Sequence, residues 1–249
     1  MIDILEDWIV DSVPSHEDFF TNPSLMNKVT PDGHFAPYRG ITVVFRLKPD
    51  VIQYLSFVQD RLYETCGHML GERIDIDTFH MTLLDIISGP PSDNIVDIGI
   101  ARHREPLIDA VKAIHADYPD EIPVQGTYLF NMCHTSIVLG VDAEPQAEDQ
   151  LNEMIRRLDV AMGHLAPTEY PPYPYPRWTP HITLAYFKPR GHVEYSHVTG
   201  CDIWIPDPYT QEELQPLREA LTQEDILFTL RPSDLEVQFF TDMNHYEKV

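Results

Sequence analysis

Two stretches of this chain repeat one order of elements, and each ends on the same three-residue pattern. The β-branched run Ile41–Phe45 reads as a strand carried to Leu47. From Asp50, taken as an N-cap, Val51, Leu55, Val58 and Leu62 recur at helical spacing until Gly67 and Gly71. A strand predicted over Phe79–Ile87 follows and opens with Phe79-His80-Met81-Thr82. The second stretch has a strand over Thr135–Val141 and a helix opened by Pro145, with Leu151, Met154, Ile155 and Leu158 inward. It closes with Pro180-His181-Ile182-Thr183 and a strand over Ile182–Phe187. Duplicated strand–helix–strand units must bury their apolar faces against shared layers. The reading predicts an α+β fold: two pseudo-symmetric α/β lobes with antiparallel sheets around a central cleft.

The rest of the chain fits around these units. A helix is predicted over Arg102–Asp117, with Leu107, Val111 and Ile114 on one face, then a strand over Ile122–Phe130. A helix over Gln211–Thr222 and strands over Leu227–Arg231 and Leu235–Thr241 complete the set. Residues 1–30 carry apolar pairs without a sustained period and read as an N-terminal extension; residues 31–249 form the bilobal domain. Pro167, Pro171, Pro172, Pro174, Pro176 and Pro180, interleaved with Tyr170, Tyr173 and Tyr175, predict a stiff extended loop.

Composition narrows the partners. Forty acidic residues against 17 basic ones give a net charge of −23. A protein that tracks a long nucleic acid needs a basic stripe; here the average field repels long polyanions, which leaves a small, locally held phosphate as the expected ligand. No apolar run reaches membrane-span length. The acidic start lacks the basic region of a signal peptide, and three scattered cysteines suit a reducing compartment. The expectation is a cytoplasmic monomer, free of membrane.

The paired motif carries the chemistry. Residues i and i+2 of a strand share a face, so His80 projects with Thr82 and His181 with Thr183. Two imidazoles facing one cleft divide the work on a phosphodiester: one takes the proton of the attacking hydroxyl, the other protonates the departing oxygen. The threonine hydroxyls donate to the non-bridging oxygens, where charge builds. The scheme needs no metal and no cofactor. His134-Thr135-Ser136 is a third match, but it stands where the second unit opens, a place the first unit fills with Gly40-Ile41-Thr42. A structural role is expected for His134.

His80-Met81-Thr82-Leu83 and His181-Ile182-Thr183-Leu184 resemble the paired H-x-T motifs of the 2H phosphoesterase superfamily. The resemblance covers roughly residues 28–246. The lead-in Asp32-Gly33-x-x-x-Pro37-x-x-Gly40-x-Thr42 resembles a bacterial branch of that group. The resemblance implies a phosphodiesterase acting on a small nucleotide phosphodiester or cyclic phosphate, with His80 and His181 as acid and base in either order. Thr82 and Thr183 would hold the phosphate. It also makes Arg177 a candidate substrate-binding residue, with Tyr38 and Tyr186 as candidates to stack on a base; Arg39 and Lys188 are further candidates to offset the acidic field. Two other readings compete. One is a non-catalytic module that binds nucleotides or RNA ends. The other is a metal-dependent hydrolase built on the cluster from His192 to His197, which lacks the spacing that sets two ligands on one helical face.

Overall fold

The computed structural model describes Val13, residues 17–163 and residues 180–249. Strands β1 (Arg39–Arg46) and β2 (His80–Gly89) lie in one sheet with β9 (Leu235–Asp242) and β10 (His245–Lys248). Strands β3 (Ile122–Met132), β4 (Ser136–Asp142), β5 (His181–Tyr186) and β8 (Gln223–Leu230) form the other. The orders are β10-β9-β1-β2 and β5-β4-β3-β8, antiparallel throughout. Each sheet therefore ends on its H-x-T strand, and these two edges, β2 and β5, lie against each other. The predicted pair of antiparallel α/β lobes is the architecture found.

The central strands explain the layering. In β1, Ile41, Val43 and Phe45 enter the common core, and in β4, Ile137, Leu139 and Val141 do the same. Thr42 and Ser136 fall on the opposite side and line the space between the sheets. Four helices cover the outer faces: α1 (Pro49–Cys66), α2 (Asn94–Asp117), α3 (Pro145–Ala161) and α4 (Gln211–Ala220). Helix α1 buries Val51, Leu55, Val58, Leu62 and Cys66 along one stripe. Each such side chain taken out of water contributes roughly 1.5–3 kcal/mol.

Several boundaries moved for physical reasons. Asp50 is not the cap of α1: Lys48 occupies that position, and Pro49 opens the helix with its fixed φ and missing N–H. Helix α2 begins at Asn94, eight residues before its predicted start, where the Asp93 carboxylate accepts from the Ile95 N–H at 3.0 Å. Its first turns expose Ile95 and Ile98, so no apolar stripe marks them in the sequence. The hairpin of β6 (Gly191–Ser196) and β7 (Cys201–Pro206), absent from the prediction, is mostly exposed and shows no buried period. Residues 17–30 join the core: Phe19, Leu25 and Val29 are buried in it, and Phe19 bridges to Tyr209. No described helix is long and apolar enough to cross a membrane.

Candidate active site

The site follows from the pleat of two edge strands. Met81 and Leu83 of β2, and Ile182 and Leu184 of β5, point into the core, which turns His80, Thr82, His181 and Thr183 to the other face. A slip of one residue would drive the histidines into the core and the apolar side chains out, so burial specifies the register. Both strands also carry the same irregularity. In the first sheet the partners step from Val43↔Leu84 to Val44↔Thr82, passing Leu83; in the second, from Ile137↔Ala185 to Val138↔Thr183, passing Leu184. A bulge of this kind bends a strand and re-aims the side chains beside it. It lies one residue past the threonine in each lobe.

All four motif side chains line one cavity of about 170 Å³ between the sheets. His80 is half-buried there, with its ring 4.9 Å from that of Tyr246 and its Nδ1 2.7 Å from the Thr78 carbonyl oxygen. A carbonyl only accepts, so Nδ1 carries the hydrogen and the Nε2 lone pair is free in the neutral ring. Burial pushes the His80 pKa below the usual 6.5; the Thr78 carbonyl and Asp85 act against that, while His181 adds to the downward push. Tyr246 is itself buried deeply enough that its phenol is held well above 10. His181 leads β5 opposite Gly140, and the Pro180 carbonyl before it accepts from the Val141 N–H at 3.0 Å.

A cross-lobe strut fixes the second motif. The Gln59 amide of α1, almost fully buried, donates to the Ile74 and Leu184 carbonyl oxygens, each at 3.0 Å. The helix of the first unit thus holds the strand carrying Thr183. Two buried acceptors are satisfied by one side chain, and losing it would strand both. Polar residues on apolar helix faces are the available sequence signal, and Gln59 stands beside Val58 and Leu62 on one.

The other candidates separate. Tyr186 lines the cavity near the end of β5. Tyr38 is not among the lining residues; its hydroxyl lies 3.0 Å from the Oγ of Ser88, which is one of them. Arg177 lies outside the described residues, as does most of the proline-rich stretch. Arg39 pairs with Asp97 at 2.7 Å and donates to the Pro91 carbonyl, away from the cleft. The cleft instead contains Lys28, from the segment read as an extension, with its Nζ 5.2 Å and 5.5 Å from the ring centroids of Tyr38 and Tyr186. Tyr246, on the short last strand, was equally absent from the sequence reading.

His134 is a turn residue. It and Cys133 are the first two residues of the three-residue turn between β3 and β4, with φ of +58° and +52°. Its ring stacks on Phe19 at 4.8 Å, and its Nδ1 lies 3.0 Å from the Phe20 carbonyl oxygen. The cluster proposed for a metal falls on the exposed hairpin, where His192 pairs with Asp207 at 3.1 Å and His197 packs edge-on to Tyr195.

No protein-family model matches this sequence, and no curated protein does. Solved structures do. A crystal structure of E. coli LigT with 3′-AMP aligns at 11 % identity over 86 % of this chain and 96 % of that one, with a TM-score of 0.47. TT0787 of Thermus thermophilus aligns at 14 % identity over 84 % of this chain and 94 % of its own, with a TM-score of 0.41. ATU0111 from Agrobacterium tumefaciens, a conserved protein of unknown function, aligns at 17 % identity over 96 % of this chain and 95 % of its own, with a TM-score of 0.56. At that identity the likeness speaks for architecture: from end to end, this chain is similar in fold to ATU0111.

Proposed function

We propose that this chain is a phosphodiesterase of the 2H phosphoesterase superfamily, which cleaves a small nucleotide phosphodiester or cyclic phosphate without a metal. The observation that carries the reading is the matched pair of H-x-T edge strands, each with a bulge one residue past its threonine, turned into a single cavity. Fold-level likeness alone would not support it.

The roles follow from the surroundings. His80, neutral near pH 7 and presenting Nε2, is the general base: it takes the proton of the attacking water or ribose hydroxyl as the new P–O bond forms. His181 is left the role of general acid, giving a proton to the departing oxygen as the old P–O bond breaks. The ring pair then returns to its starting state by exchanging one proton with solvent. Thr82 and Thr183 donate to the non-bridging oxygens. The −23 charge of the chain favours a mono- or dinucleotide over a long strand.

The test is a screen of 2′,3′-cyclic nucleotides, 2′-5′-linked dinucleotides, ADP-ribose cyclic phosphate and cyclic dinucleotides, scored by product mass in the presence of a chelator. Turnover of one class that survives the chelator is the expected result. Binding without product would make the cleft a recognition module, and turnover abolished by the chelator would replace the two-histidine scheme with a metal site.

A further inference from the structure

The cleft holds a lysine that pairs with no carboxylate among the described residues. Lys28 follows the short helical turn Pro23–Asn27 and reaches the cavity between the faces of Tyr38 and Tyr186. Phenol faces attract an ammonium but do not neutralise it. Among the described residues Lys28 forms no ion pair; the Asp85 carboxylate acts on it only from a distance. The Tyr186 phenol, Tyr38 and Asp85 outweigh the cost of burial and keep its pKa above the ordinary lysine value. A charged ammonium enclosed in this way is expensive unless something pairs with it.

Its place along the cleft separates it from the reacting phosphate. Tyr186 stands three residues beyond Thr183 on β5, about 10 Å along a strand. On the other wall, Tyr38 meets Ser88, six residues beyond Thr82. Lys28 therefore meets the cavity farther along both strands than the motif residues do.

Building on the phosphodiesterase reading, we infer that Lys28 receives a second anionic group of the substrate, about one nucleotide away from the phosphodiester held between the histidines. The preferred substrate class is then a dinucleotide that carries a terminal phosphate besides its internal linkage. The residue that selects it comes from the segment before the duplicated units.

The test uses the full chain and two probes, 2′-5′-linked diadenosine with and without a 5′-terminal phosphate. Binding is measured by calorimetry at low salt, and cleavage separately by product mass. The wild type should bind the phosphorylated probe roughly tenfold or more tightly, the scale of a charge-assisted hydrogen bond. Lys28→Met, which keeps an apolar stem between the rings, should reduce that ratio to within about threefold, and Lys28→Arg should retain it. A ratio unchanged by Lys28→Met, or a wild type that binds neither probe, overturns the inference. Lys28-dependent preference without cleavage would support it while defeating the catalytic reading. Cleavage of both probes without preference would do the reverse.

Discussion

The two lobes present their H-x-T strands alike and differ in the edge strand that closes each sheet. Each places an H-x-T strand at a sheet edge, each buries the residue between histidine and threonine, and each bulges one residue later. The likeness ends at the far edges of the sheets. His80 sits under Tyr246, with Nδ1 fixed by the carbonyl of a short turn, Ile76–Thr78. That ring comes from β10, the added edge of the first sheet, whereas the corresponding edge of the second sheet is β8. On the phosphodiesterase reading the repeated scaffold supplies two sets of donors, and the added edge strand lays the Tyr246 ring against His80. Acid–base catalysis needs one group that starts neutral and another that starts charged, and burial holds the His80 pKa below 6.5.

The largest effects test whether both lobes are needed. His80→Ala and His181→Ala should each lower kcat by at least about a hundredfold with the fold intact by circular dichroism. A histidine whose loss costs only a few-fold would break the comparison, because one lobe would then carry the chemistry alone. Thr82→Val and Thr183→Val should each cost roughly tenfold, one hydrogen bond to a charged group apiece. Matched losses are expected, since the two threonines have equivalent settings; a large disparity would show that the phosphate leans on one sheet.

The proton asymmetry has its own signature. A base must be neutral, so the rate falls as pH drops through the pKa of His80, which burial holds below 6.5. The acid limb of kcat/KM should therefore have its midpoint below 6.5. Tyr246→Ala admits water to the His80 ring, and should move that midpoint upward toward the ordinary value. A midpoint already above 6.5, unmoved by Tyr246→Ala, would assign the base role to His181.

Much of this was legible in the residues. Alternation at His80-Met81-Thr82-Leu83 and its twin predicts which side chains face the core, and that alone brings the four motif residues to one face. What stayed hidden depends on contacts between distant segments. Lys28 lies in a stretch without period, and its meaning comes from Tyr38 and Tyr186, 10 and 158 residues away. Tyr246 belongs to a four-residue edge strand too short to show alternation. Arg39 is an open candidate by local pattern, and Asp97, 58 residues on, pairs with it. Local pattern reports what a strand buries, and pairing across the fold decides which charges remain free.

The smallest expected effect concerns the histidine that stands outside both motifs. His134 occupies a left-handed turn, stacks on Phe19 and meets the Phe20 carbonyl, while the Asn22 N–H donates to its carbonyl oxygen at 3.0 Å. These contacts fasten residues 19–22 to the β3–β4 turn, six residues ahead of Lys28. His134→Ala removes one stacked ring and one hydrogen bond, together on the order of 1–2 kcal/mol. Thermal unfolding should show a lower Tm, by several degrees. At a temperature where the variant is fully folded, kcat should fall far less than in His80→Ala, with any loss appearing in KM through the looser N-terminal segment. A loss in kcat as deep as that of either motif histidine would place three imidazoles in the chemistry, and would end the correspondence between the lobes.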